Sequence, residues 1–326
     1  MAGARCAVSD DGGVFAVMAS GNVGWVKVFQ SGILDSWIQL GSTIEGEQGN
    51  RVESNGSSGV RSVSDVSAIG LSGDGTTLAV ASNTTGEVVV LRYESFTRIW
   101  QRFGPVIVQQ PNARDIDVSL SRNGRTVAVG VQVGLFHSVR VYRYSETNTV
   151  WSQLGDSLFG RGSGTAVSLS SDGMRLAMAG IARINPSDDS IIELPVFQLS
   201  ADTNVWEKLG LRTNNSGNNE DGDNDSDNGA ATVERTVQQV NLSGDGSTVS
   251  VVFPTSTAES ANTTTLILTL SEASVWEPVG EALLGGWAVS LSDNGHSLGL
   301  GTTVQSSASE GTFGVFESPQ RQNIFD

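Results

Sequence analysis

Ser170-Ser-Asp-Gly-Met-Arg-Leu-Ala-Met178 is one of six copies of a single pattern. The others are Ser9-Asp-Asp-Gly-Gly-Val-Phe-Ala-Val17, Ser72-Gly-Asp-Gly-Thr-Thr-Leu-Ala-Val80, Ser121-Arg-Asn-Gly-Arg-Thr-Val-Ala-Val129, Ser243-Gly-Asp-Gly-Ser-Thr-Val-Ser-Val251 and Ser292-Asp-Asn-Gly-His-Ser-Leu-Gly-Leu300. From Ser to Ser the steps are 63, 49, 49, 73 and 49 residues, a base period of 49 with insertions of 14 and 24. A period of this size belongs to propellers or solenoids.

Each unit reads as four strands. The first is the run before the Ser, such as Val118-Ser-Leu120 or Val167-Ser-Leu169. Asp-Gly or Asn-Gly predicts a tight hairpin turn, because these residues tolerate positive φ. The Leu-Ala-Val run is the second strand. The third is an apolar run such as Val26-Lys-Val-Phe29, Val88-Val-Val-Leu91, Val139-Arg-Val-Tyr142, Leu194-Pro-Val-Phe197 or Phe313-Gly-Val-Phe316. The fourth carries Trp-x-x-(Leu/Phe/Val)-Gly, at Trp37–Gly41, Trp100–Gly104, Trp151–Gly155, Trp206–Gly210 and Trp276–Gly280. Val, Ile, Phe and Trp suit pleated, half-buried surfaces. No segment shows helical periodicity. A Trp recurring once per repeat points to packing between neighbouring units rather than to a ligand platform.

The expected fold is therefore all-β: a six-bladed β-propeller of four-stranded antiparallel blades, one domain over residues 1–326. A ring avoids long exposed sheet edges. The alternative is a fragment of a longer, seven-bladed propeller, because the last repeat has no Trp-x-x-Leu-Gly after Phe316. A closing strand would fall near Gln322-Asn-Ile-Phe325.

Gly164-Thr-Ala-Val-Ser-Leu-Ser-Ser-Asp-Gly173 and Gly285-Gly-Trp-Ala-Val-Ser-Leu-Ser292, with the Trp strands, resemble the integrin-α-like (FG-GAP-like) propeller repeats. The Ser-x-Asp-Gly-x-x-Leu-Ala-Val part is also similar to WD40-like repeats. The resemblance implies a scaffold for adhesion or binding and names no ligand. Integrin-type blades often carry a calcium loop of alternating Asp residues. The short turns here offer too few oxygens for that, so Asp74, Asp172 and Asp245 read as turn formers.

Strand order sorts the loops by face. The blade-to-blade connections, with insertions at 41–63 and 210–236, emerge on the same face as the second-to-third-strand loops 180–191, 253–264 and 301–312. The Asp-Gly turns emerge on the other. Function tends to sit on long loops held by a rigid scaffold, so the loop-rich face is the expected binding face.

The second insertion offers one metal candidate. Asp223, Asp225 and Asp227 stand at positions 1, 3 and 5 of an EF-hand-like loop, and Glu234 at position 12. Such oxygens suit Ca2+. The Gly is one place late and no helices are expected to flank it; the alternative is a solvated acidic loop.

The formal net charge of −16 disfavours nucleic acid and anionic membrane surfaces as partners. Cys6 is the single cysteine, so no intrachain disulfide can form. No apolar run reaches the roughly 18 residues of a membrane helix. Residues 1–20 lack a signal-peptide pattern. No HExxH, Walker loop, GxSxG or CxxC occurs. His137 and His296 fall in different repeats, His296 at an exposed hairpin position, and nothing in the spacing of Asp115 and Asp117 marks them as catalytic.

The expectation is a non-catalytic binding or structural module for protein or glycan partners, self-assembly included. The alternative is a propeller hydrolase or lectin with a site at the channel mouth. Six Asn-x-Ser/Thr sequons, among them Asn55, Asn83 and Asn262, and only two Lys lean toward an extracellular or cell-surface setting, with the cytoplasm as the alternative.

Overall fold

A computed structural model describes residues 4–20, 24–33, 36–45, 66–108, 115–133, 136–161, 165–184, 191–210, 233–254, 263–284, 288–303 and 311–317. The architecture is a six-bladed β-propeller of small antiparallel sheets, with no helix among these residues.

Each Ser-x-Asp-Gly copy joins the first and second strands of one blade. Blade 1 runs Ala4–Val8, Val14–Ala19, Trp25–Ser31 and Trp37–Gln39, paired in that order. Blade 2 begins with Ala68–Leu71, blade 3 with Asp115–Leu120 and blade 4 with Val167–Leu169. Blade 5 begins with Gln239–Leu242 and blade 6 with Ala288–Leu291. These first strands stand side by side around the axis. Blades 1 to 5 have the expected four strands. Blade 6 has three among the described residues, ending with Gly311–Glu317. The expected closing strand near Phe325 lies outside the described residues.

Three local expectations need correction. First, the turn is not built on positive φ at both Asp and Gly. Only the Gly is left-handed, as at Gly75 (φ 70°) and Gly173 (φ 70°). The Asp supplies its carboxylate instead. In blade 4, Ser170 Oγ donates to Asp172 Oδ1 at 2.6 Å, Met174 N donates to the same oxygen, and Arg175 N donates to Ser170 Oγ at 2.9 Å. The same three bonds recur at Ser72/Asp74 and Ser243/Asp245.

Second, the outer strand is split. Trp37–Gln39 and Ile44–Glu45 both pair with Trp25–Ser31, on either side of the bend at Gly41 (φ 76°). Blades 2, 3 and 5 repeat the split.

Third, part of the expected loop 180–191 is strand. Gly180–Ile184 pairs with Ile191–Glu193 and with Val233–Val237, the end of the second insertion. This three-stranded sheet stands on the loop-rich face, beyond the second strand of blade 4.

The core lies between blades. Val14, Ala16, Val26 and Val28 of blade 1 pack on Ile69, Val80, Leu91 and Trp100 of blade 2. Comparable clusters join blades 2 and 3, 3 and 4, and 4 and 5. Burial of facing apolar surfaces is the main favourable contribution to such stacking.

The Trp residues lock these four interfaces, as their one-per-repeat spacing predicts. Nε1 of Trp100 donates to Leu40 O at 2.8 Å, Trp151 to Phe103 O at 3.0 Å, Trp206 to Leu154 O at 2.8 Å and Trp276 to Leu209 O at 2.9 Å. Each acceptor belongs to the preceding blade and directly precedes that blade's left-handed Gly. The indole lies where a β-carbon on that Gly would stand.

Candidate functional site

Two groups of polar side chains converge near the axis. One closes the turn face. Neighbouring turns are bonded in succession through the backbone of the residue after each Ser, with Asp74 as the donor in blade 2. Asp10 N donates to Gly73 O, Asp74 N to Arg122 O, Arg122 N to Ser171 O, Ser171 N to Gly244 O and Gly244 N to Asp293 O, all at 2.7–3.0 Å. Arg122 then reaches both ends of the ring. Its Nε lies 3.4 Å from Asp10 Oδ2 in blade 1 and its Nη1 3.7 Å from Asp293 Oδ2 in blade 6. Ser171 Oγ donates to Asp293 Oδ1 at 2.7 Å. Burial and the nearby Asp293 carboxylate push the Asp10 pKa up, against the pull of Arg122. At positions 73 and 244 a β-carbon would stand against the carboxylates of Asp10 and Asp293, which would have to swing aside.

The second group sits deeper. Arg5 in blade 1 crosses to blade 3, where its Nη1 donates to Asp117 Oδ1 at 2.7 Å. Val167 N of blade 4 donates to Asp117 Oδ2 at 3.1 Å. Asp117 is 17% exposed, and burial raises its pKa to about 6 despite the Arg5 guanidinium and the backbone donors. Below it, Leu169 N donates to Ser119 Oγ, Leu242 N to Ser168 Oγ, and Asn241 Nδ2 to Val289 O. First strands have one unpaired edge, and a buried unpaired amide is costly. These short polar side chains cap those edges across the blade boundaries. They are thus tied to the scaffold.

The metal candidates are not assembled by the described residues. Asp223, Asp225 and Asp227 lie outside them. Glu234 is on the strand Val233–Val237, in register with Arg183. Among the described residues, no group of three or more His, Cys, Asp and Glu is arranged to hold a metal ion. His296 is exposed, as its hairpin position predicts. His137 is fully buried at the loop-face end of blade 3's third strand, with its ring against the α-carbon of Gly160. Its burial was not readable from the lone His; the glycine opposite it in Leu158–Arg161 is the local signal.

No family model matches the chain, and no curated protein matches it. Solved structures do. Sqt1 of Chaetomium thermophilum, bound to the N-terminus of ribosomal protein L10, superposes with a TM-score of 0.51 at 16% identity, over 97% of this chain and 72% of that one. A functionally unknown protein from Desulfotomaculum acetoxidans gives 0.53 at 12%, over 96% and 81%. The hydrazine synthase of Kuenenia stuttgartiensis gives 0.52 at 12%, over 91% and 73%. The fold is the β-propeller. At these identities the likeness carries the fold alone. The resemblance to integrin-α-like repeats is matched by no family model, so it stands only as a propeller resemblance. No helix among the described residues is long and apolar enough to cross a membrane.

Proposed function

We propose that this chain is a non-catalytic binding propeller that engages a protein or glycan partner through its loop-rich face. One contrast carries the reading. The turn face is closed by bonded turns and the Arg122 bridge, whereas the opposite face carries the long connections and the added sheet of Gly180–Ile184, Ile191–Glu193 and Val233–Val237. A face built of short, mutually bonded turns has little freedom to shape a recognition surface. Long loops on a rigid ring have that freedom. Sqt1 bound to a ribosomal protein segment supports the reading by showing that one propeller serves protein recognition.

Site-directed photocrosslinking tests it. A crosslinking residue placed at Gln238 or Pro254, at the loop face, is expected to capture a partner. The same residue at Ser247 or Thr76, at the turn face, is expected to capture none. Capture only from the turn face overturns the reading.

A hydrolase or lectin at the channel mouth is the second reading. The raised pKa of Asp117 favours it, because a carboxyl titrating near 6 can exchange protons at working pH. Loss of a measured hydrolase activity in Asp117→Asn, with the fold intact, would support it over the first.

A further inference from the structure

Blades 2 and 3 carry the same Thr–Arg pair at the turn-face end of their sheets, and only one pair is closed. Thr126 stands in register with Arg143, whose Nε donates to Thr126 Oγ1 at 3.4 Å and whose Nη2 lies 3.4 Å from Met174 Sδ of blade 4. Thr77 stands in register with Arg92 in the same way, but its buried Oγ1 has no hydrogen-bond partner among the described residues. The Arg92 guanidinium lies instead over a ring, with its Cζ 3.5 Å from the centroid of Phe103. That ring is well fixed. It packs on Tyr144 at 4.1 Å and edge-on to Trp151 at 5.8 Å, and the Phe103 carbonyl accepts the Trp151 Nε1 bond. Blades 1, 3 and 4 have Leu40, Leu154 and Leu209 at this place, so the aromatic platform is particular to the boundary between blades 2 and 3.

A stacked guanidinium is held in one plane, with its fork of N–H groups presented at the edge. Arg92 is half-buried, and among the described residues none of its N–H groups reaches an acceptor. The turn-face arginines of blades 3 and 4 differ: Arg122, Arg125, Arg143 and Arg175 each meet a protein acceptor. A second cation comes up beside Arg92 from blade 3. Arg125 stands where blade 4 has Met174, and its Nη2 donates to Glu146 Oε1 at 2.8 Å in an exposed pair. Burial, and after it the charge of Arg125, pull the Arg92 pKa below its usual value, against Glu146 and Asp74. Donors of a half-buried cation without acceptors are costly, and an oxoanion would satisfy them. The surrounding sequence favours its approach. Residues 88–183 hold 11 of the 19 Lys and Arg and only 6 of the 35 Asp and Glu, so the local field opposes the net charge of −16.

We propose that Arg92 and Arg125 bind a small oxoanion of the phosphate class in the turn-face cleft between blades 2 and 3. The fork of Arg92 takes two oxygens side by side, and Arg125 takes a third in exchange for Glu146. Inorganic phosphate and the phosphate monoester of a small molecule both present three such oxygens. The site lies apart from the loop-rich face and does not depend on a partner there.

NMR of the full chain, observing the arginine Nε–H signals, tests it. Inorganic phosphate is titrated in one series and glycerol phosphate in another, with sodium chloride holding the ionic strength constant. A saturable shift of the Arg92 and Arg125 signals is expected. Arg125→Gln, read at Arg92, and Arg92→Lys, read at Arg125, are each expected to weaken binding at least tenfold. Phe103→Leu places the residue of blades 1, 3 and 4 at the platform, so the fold is kept, and binding is expected to weaken at least threefold. Glu146→Gln removes the competing carboxylate and is expected to tighten binding at least threefold. Saturation by glycerol phosphate alone upholds the site and assigns it to an ester. Saturation by inorganic phosphate upholds it for the free anion. Absence of a saturable shift with either anion overturns the proposal, as does unchanged affinity in Arg92→Lys or weaker binding in Glu146→Gln.

Discussion

Trp100 closes over Gly41. Its Nε1 donates to the Leu40 carbonyl at 2.8 Å, and a β-carbon on Gly41 would stand 2.8 Å from its Cδ1. The boundary between blades 1 and 2 therefore depends on a missing side chain in one blade and an indole in the next. Gly41→Ala suffers twice, from the positive φ and from the clash. Gly280→Ala suffers only the first (φ 73°), because a β-carbon there meets nothing within 4 Å among the described residues. A left-handed conformation costs a non-glycine residue about 1–2 kcal/mol. Urea denaturation is expected to show a loss of that size for Gly280→Ala and a larger one for Gly41→Ala. Equal losses would argue against the lock.

The Ser-x-Asp-Gly turns predict a second ranking. Ser72 is buried, and its Oγ both donates to Asp74 and accepts from Thr77 N. Ser72→Ala leaves that buried amide without its acceptor, at about 1–3 kcal/mol. Ser292 makes the corresponding bonds, to Asn294 and from Ser297 N, in a more solvated turn. Ser292→Ala is expected to cost less than Ser72→Ala in the same denaturation experiment.

Asp117 predicts a pH dependence. Its pKa rises from 3.8 to about 6 on folding, chiefly through burial. The folded state then holds this proton more tightly than the unfolded chain. Its contribution to stability is present in full below about pH 4 and is lost as the pH rises through 6. One pKa unit corresponds to about 1.4 kcal/mol, so the change is on the order of 3 kcal/mol at most, reduced by residual solvent contact. Asp117→Asn should remove this part of the slope between pH 4 and 6. An unchanged slope would mean that Arg5 already holds the carboxylate ionised.

Arg122 predicts a small effect with a specific partner dependence. Its guanidinium is more than half exposed, so Arg122→Ala is expected to cost under about 1 kcal/mol. The loss should shrink when Asp10 is already Asn, because the two carboxylates it bridges no longer repel. A double-mutant cycle on Arg122 and Asp10 measures this, and an additive cycle would show that the bridge contributes nothing.

Strand order and blade count were legible because each blade repeats its turn at a fixed period, and a local motif reports a local structure. The inter-blade role of the tryptophans was legible for the same reason. The split at Gly41 was not, since Leu-Gly after a Trp strand does not by itself show that pairing resumes at Ile44–Glu45. Nor was the sheet of Gly180–Ile184 with Val233–Val237, which joins a loop of one blade to an insertion about fifty residues later. The convergence of Asp10, Arg122, Ser171 and Asp293 was hidden most deeply. These are the variable positions of the repeat, and only ring closure brings residues from blades 1, 3, 4 and 6 to one axis.

Indole N–H exchange, followed by NMR and assigned with single Trp→Phe variants, tests the central claim that four blade boundaries are each locked by an indole seated on the preceding blade. Trp100, Trp206 and Trp276 are buried with bonded Nε1 groups, and their indole protons should exchange slowly. Trp37, 49% exposed, should exchange at close to the rate of a free indole. Protection of Trp37 equal to that of the other three would contradict the account.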